Sequence, residues 1–203
     1  MSHDPSTNIE LQIKEAAKRV FVRKGLEGTK LQEIAEEAGI GRTAVHYYYR
    51  SKEKLYAIVW SEFFAEISSR LPENIRTTMP VVERMKLFAE HYIDSAIRNP
   101  EIDLFVLNEF NVNPDMIKEI FLSTMPVNLK EYFLPYIEEA VEKGEMTGDP
   151  MQIFITLLSV CLFPFAGMAM IKTIMNISNE NYLQLLEQRK DYVMNFLTTA
   201  FKP

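Results

Sequence analysis

Glycine is scarce in this chain: seven in 203 residues, about half of an average usage of roughly 7%. Hairpin turns and phosphate-cradling loops both draw on glycine, so the scarcity argues against sandwiches and α/β sheets and for an all-α chain. Proline sharpens the reading, because it suits a helix start and resists a helix interior. Pro80, Asn99-Pro100, Asn113-Pro114 and Asp149-Pro150, together with Lys143-Gly144, divide the second half into helices near 81–98, 101–111, 114–143, 150–177 and 179–201. Pro126 and Pro135 are expected to break or kink the third of these. No internal repeat or low-complexity segment is present.

The first 72 residues are cut more finely. Thr7-x-x-Glu10 has the form of a capping box, and Ile9, Ile13, Ala16, Ala17, Val20 and Phe21 follow at helical spacing until Lys24-Gly25. A second short helix follows Thr29, with Gln32 three residues on and Leu31, Ile34, Ala35 and Ala38 turned inward; Gly39 ends it. A third runs from Arg42 to Tyr49. Ser51 then caps a longer helix with Leu55, Val59, Phe63, Ile67 and Leu71 at steps of four, stopped by Pro72.

Two short helices joined by Gly39-Ile40-Gly41 have the composition of a helix-turn-helix, whose second helix enters the major groove. At 100° per residue Arg42, Thr43, His46 and Tyr47 share one arc, and Ala44, Val45 and Tyr48 take the other side. One face can pack while the other reads. Arg42 supplies a guanidinium fork for a guanine edge, Thr43 can meet a base or a thymine methyl, and the hydroxyls of Tyr47 and Tyr48 can reach phosphates. The formal net charge of −6 hides an asymmetry that suits this. The first 60 residues hold ten Lys/Arg against eight Asp/Glu, and the rest of the chain holds twelve against twenty. Local charge, and not the total, decides whether a phosphate backbone is attracted.

From Phe21 to Trp60 the chain resembles the DNA-binding domain of the TetR family. Thr29, Ile34-Ala35, Ala38-Gly39-Ile40, Val45, Tyr47, Tyr49, Lys52 and Leu55 fall in register with that family's pattern. The resemblance implies base contacts from Arg42 and Thr43, with Gln32 as a further one. It implies phosphate contacts from Thr29, Lys30, Tyr47 and Lys52, and a packing role for Tyr49. His46 departs from it, standing where a phosphate-binding tyrosine is usual. Gly41 also departs, standing where serine or threonine commonly caps the reading helix. Lys54 is read equally as a phosphate contact or as a solvated helix start. The fold implied is an all-α homodimer: a helix-turn-helix head, residues 1–52, joined by a linking helix to a ligand-binding and dimerisation body, residues 53–203. The function implied is a transcriptional repressor released from operator DNA by a small molecule.

Met151 to Ile171 carries no charge and by length alone is a candidate membrane span. Gln152, Thr156, Ser159, Pro164 and Gly167 interrupt it and no basic flank precedes it, so the preferred reading is a helix apolar on both sides because one faces a second subunit. In the last helix Tyr182, Leu185, Leu186, Arg189, Val193, Phe196 and Leu197 are expected in the same interface. A small, mostly apolar ligand is expected among Tyr92, Phe105, Phe110, Phe121, Tyr132, Tyr136 and Met168 of the body, the tyrosines because a buried hydroxyl needs a partner. His91 is read as a core or boundary histidine. Three scattered histidines and a single cysteine, Cys161, in an apolar run assemble no catalytic or metal set, and neither cofactor nor metal is expected. The N-terminus does not read as a signal peptide, and a cytoplasmic location is expected.

Overall fold

The structure is a computed structural model that describes residues 5–69, 79–124 and 129–203. Among these residues there is no strand. The described residues form eleven helices, and the chain falls into two compact units, a head within Met1–Glu66 and Asn108–Thr124 and a body within Ile67–Leu107 and Met125–Pro203. The head is thus larger than a boundary near residue 52 suggests.

The head contains α1 (Pro5–Gly28), α2 (Leu31–Ala38), α3 (Arg42–Tyr48), most of α4 (Lys52–Ser69), the end of α6 (Glu101–Val112) and α7 (Pro114–Thr124). Helix α1 begins at Pro5, before Thr7, because proline is already set for a helix start. Ile13, Ala17 and Phe21 of α1, Ile34 of α2, Val45 of α3 and Leu55, Tyr56 and Trp60 of α4 are sealed in one core. Burying each large apolar side chain contributes about 1.5–3 kcal/mol. An aromatic chain runs through it: Phe21 meets Tyr56 edge-on at 5.0 Å, Tyr56 meets Trp60 at 6.0 Å, Trp60 meets Phe64 at 5.0 Å, and Phe64 meets Phe121 at 5.1 Å.

Helix α1 does not stop at Gly25; the backbone breaks there at φ 68°, ψ −178° and continues to Gly28. The start of α2 also differs from expectation. The Thr29 hydroxyl donates to the Gly25 carbonyl at 2.7 Å, so Lys30 becomes the N-cap and its N–H donates to Glu33 Oε2 at 3.1 Å. Gly39 ends α2 in the left-handed region, with its own N–H and that of Ile40 closing on Glu36 and Ala35. Ser51 caps α4 as its sequence predicts, accepting from Lys54 N–H at 3.2 Å. Leu71 and Pro72, the expected end of α4, lie outside the described residues.

In the body, α5 (Val81–Arg98) and α9 (Pro150–Ala166) pack with α8 (Leu129–Glu142) and α11 (Asn179–Thr199). Met85, Phe88, Ile93, Phe133, Ile137, Leu157, Phe165 and Val193 are buried in the core, where the Phe88 and Phe133 rings meet edge-on at 5.2 Å. The expected helix over 114–143 is two, α7 and α8. Pro126 lies outside the described residues, and α8 runs through Pro135 without stopping. The expected helix over 150–177 is also two. At Gly167 the chain bends by 70° into α10 (Met168–Met175). A Cβ at Gly167 would stand 2.9 Å from the Phe163 carbonyl, so glycine permits the bend. Pro164, inside α9, has no N–H to give to Val160 O; Arg189 Nη2 takes that carbonyl at 3.1 Å, and Tyr182 donates to Pro164 O at 2.6 Å.

Candidate nucleic-acid interface

Helix α3 is held from one side. Val45 is fully buried, and Tyr49, its C-cap, is buried with its hydroxyl donating to Glu10 at 3.4 Å. Burial pushes the Tyr49 hydroxyl pKa up, which keeps it a donor. The opposite face carries Arg42, Thr43, His46 and Tyr47, all exposed, with Tyr47 82% accessible. Tyr48, half-buried, packs edge-on against Tyr47 at 5.3 Å. Ala44 and Tyr48, expected on the packing side, stand at the boundary of the two faces, and only Val45 of the three is buried.

Charge sorting sets this face apart from the rest of the head, and sequence reasoning missed it. Five cations of α1 are engaged inside the unit. Lys14 and Lys18 pair with Glu62 of α4, Lys18 at 3.1 Å; Arg19 and Arg23 each reach Glu37 at 2.7 Å; Lys24 reaches Glu33 at 2.7 Å. Burial pulls the Glu62 carboxyl pKa up, but the two lysines override it and hold it below the usual value. Hydrogen bonds from Arg19 and Arg23 likewise lower Glu37. Among the described residues Arg42, Arg50, Lys52 and Lys54 form no such pair. Of the six cations of the head without an ion pair among the described residues, these four lie on α3 and the start of α4, while Lys30 precedes α2 and Lys118 lies on α7. Pairing depends on contacts between distant helices, and no count along the sequence reveals it.

The flanking residues are less uniform. Lys30 and Gln32 are exposed, Gln32 sharing a hydrogen bond with Glu36 at 2.8 Å, and Lys52 is half-buried at the first turn of α4. Thr29 is 2% exposed with its hydroxyl bound to Gly25, so it braces the turn into α2 and presents no side-chain group to a phosphate.

The expected ligand residues do not form one cluster. Phe110 and Phe121 belong to the head, where their rings meet at 6.3 Å. Tyr132 and Tyr136 of α8 flank the buried Arg84, whose guanidinium lies 3.6 Å from the Tyr136 ring centre. Phe105 is buried on α6, and Met168 opens α10. His91 is exposed and is no core histidine.

Tyr92 donates to Asp103 Oδ1 at 2.6 Å, while Asp103 Oδ2 is sealed from solvent without a partner. Burial pushes the Asp103 carboxyl up to about 6, against a smaller lowering by the Tyr92 hydrogen bond. Because the folded value lies above the unfolded one, the fold binds the proton more tightly, and stability falls as pH rises from about 4 to about 6. Asp103→Asn removes that fall and gains about 1–2 kcal/mol over the wild type at pH 8 but not at pH 4, read from denaturant midpoints at both pH values. Burial also raises the Cys161 thiol to about 12, as befits a packing side chain.

A groove of about 640 Å³ that sequence reasoning did not find lies against α9, α10 and α11, lined by Phe163, Pro164, Ile171, Tyr182, Leu185 and Arg189. It opens on an apolar surface. Met151, Ile155 and Phe163 of α9, Met170, Ile174 and Met175 of α10, and Leu185 and Tyr192 of α11 are exposed in the single chain. Of the residues expected at an interface, Tyr182, Leu186, Val193 and Leu197 instead face the chain's own core. Among the described residues no group of three His, Cys, Asp or Glu is placed to hold a metal. No single helix among them is long and apolar enough to cross a membrane; α9 and α10 pass that test only as a bent pair.

A short helix fixed by its inner face, with an exposed reading face and four free cations on it and just beyond it, defines a helix-turn-helix regulator of transcription. Residues 13–59 match the sequence profile of the bacterial regulatory proteins of the tetR family. It is 28% identical over 158 residues to a probable HTH-type transcriptional regulator, YttP of Bacillus subtilis (strain 168), spanning 76% of this chain and 75% of that one. It is 31% identical over 71 residues to the HTH-type transcriptional repressor AcnR of Corynebacterium efficiens, covering 35% of this chain and 38% of that one. In fold it is similar to AibR, solved in complex with isovaleryl coenzyme A and operator DNA, at a TM-score of 0.68 and 18% identity over 93% of this chain and 97% of that one.

Proposed function

We propose that this protein is a homodimeric repressor, acting in the cytoplasm, that lays α3 of each copy in the major groove of an operator and leaves it when a small, mostly apolar molecule binds the body. The observation that carries the reading is the exposed Arg42, Thr43, His46 and Tyr47 face beside the unpaired Arg50, Lys52 and Lys54. Arg42 and Thr43 contact base edges, with Gln32 as a further contact. Lys30, Tyr47, Tyr48 and Lys52 hold phosphates, and His46 adds a further contact. The apolar surface of α9 and α11 supports pairing of two copies. Helix α9 is apolar toward both its own core and solvent, where Met151, Ile155 and Phe163 are exposed. A ligand beside Tyr92 has a polar anchor in Asp103 Oδ2, which would accept from a hydroxyl, amide or amine. Selection from a random duplex pool tests the reading. The expected product is a near-palindrome with half-sites one helical turn, roughly 34–36 Å, or a multiple apart. A pool that is retained without enrichment contradicts sequence-specific binding.

A further inference from the structure

The head contains a buried polar cluster that DNA contact does not use. Glu109, near the end of α6, is 5% exposed, and its Oε2 accepts from the Tyr56 hydroxyl of α4 and from Asn113 Nδ2 at 2.8 Å. Its Oε1 lies against Gly25, where a Cβ would come within 2.5 Å of it. A carboxylate is costly to bury, and here it sits in the core of the helix-turn-helix unit. What it touches is the break in α1. The Gly25 carbonyl next accepts the Thr29 hydroxyl, Thr29 precedes the N-cap of α2, and α2 carries α3 through the Gly39 turn.

We infer that Glu109 is a positioning residue for the reading helix: held by Tyr56 and Asn113 and lodged against Gly25, it fixes the turn that aims α2 and α3. It sets DNA affinity without touching DNA. The inference rests on the DNA-binding reading above.

Glu109→Gln keeps the size and one acceptor, and Tyr56→Phe removes a single hydroxyl. Each is titrated against the duplex that the wild type selects from a random pool. The expected result is a loss of about tenfold in affinity with the helical signal retained and the salt dependence unchanged, since the phosphate contacts remain. The combined variant is no weaker than either alone, because both act through one contact. Trp60, the chain's one tryptophan, lies 6.0 Å from the Tyr56 ring and reports the same coupling. Its emission changes on DNA addition in the wild type and changes less in both variants. A residue that only stabilises the fold would lower the melting midpoint and leave the affinity of the folded protein intact. Affinity within twofold of the wild type for folded Tyr56→Phe and Glu109→Gln overturns the inference alone. A wild-type protein that retains no duplex overturns the DNA-binding reading and the inference with it.

Discussion

A protein carrying Leu185→Asp or Ile155→Asp is expected to sediment at the 23.6 kDa mass of one chain, and the wild type is expected to sediment at twice that mass at micromolar concentration. Both side chains are exposed in the single chain, on α11 and α9, so an aspartate there leaves the fold and its helical signal intact. In a dimer the same position lies in an apolar seam, where an unpaired charge costs about 3–5 kcal/mol, and the two-fold axis doubles it. Two reading helices on one duplex gain about 10²–10⁴ in affinity from linkage, and the monomer loses that factor. An unchanged sedimentation coefficient in both variants would remove α9 and α11 from the interface.

Gly25→Ala is expected to destabilise the protein by about 2–4 kcal/mol, through two causes acting together. The backbone sits at φ 68°, which an alanine adopts only under strain, and the new Cβ would stand 2.5 Å from Glu109 Oε1. A free carboxylate would swing away, but this one is tied to Tyr56 and Asn113. Gly39→Ala separates the causes. Its φ of 66° is the same but nothing lies within 4 Å, so it costs only the strain, about 1 kcal/mol. Denaturant midpoints for the two variants check this; equal losses would mean that Glu109 gives way.

What could be read from the sequence was what depends on neighbours along the chain. The two faces of α3 follow from seven residues at helical spacing, and the Gly39 turn and Ser51 cap from local chemistry. What could not be read depends on partners far away. Nothing in Lys24-Gly25 announces that Glu109 will occupy the notch, that α1 resumes to Gly28, or that Thr29 is thereby turned inward. Phe110 and Phe121 look like body residues until α6 and α7 are seen to return to the head. The α11 pattern identified an apolar helix but not which side meets its own core. Two apolar faces of one helix carry the same periodicity, and only packing assigns Leu186 inward and Leu185 outward.

The most direct test of α3 as the reading helix is a titration of wild type, Arg42→Ala and Lys52→Ala against the selected duplex and its single-base-pair variants, at several salt concentrations. Arg42→Ala is expected to lose discrimination at one base pair in each half-site, worth about 1–3 kcal/mol for a bidentate contact, and to bind the variants there alike. Lys52→Ala is expected to weaken every duplex together and to lower the salt slope by about one per half-site, leaving discrimination unchanged. If Arg42→Ala keeps the full base preference of the wild type, α3 does not read the operator through Arg42.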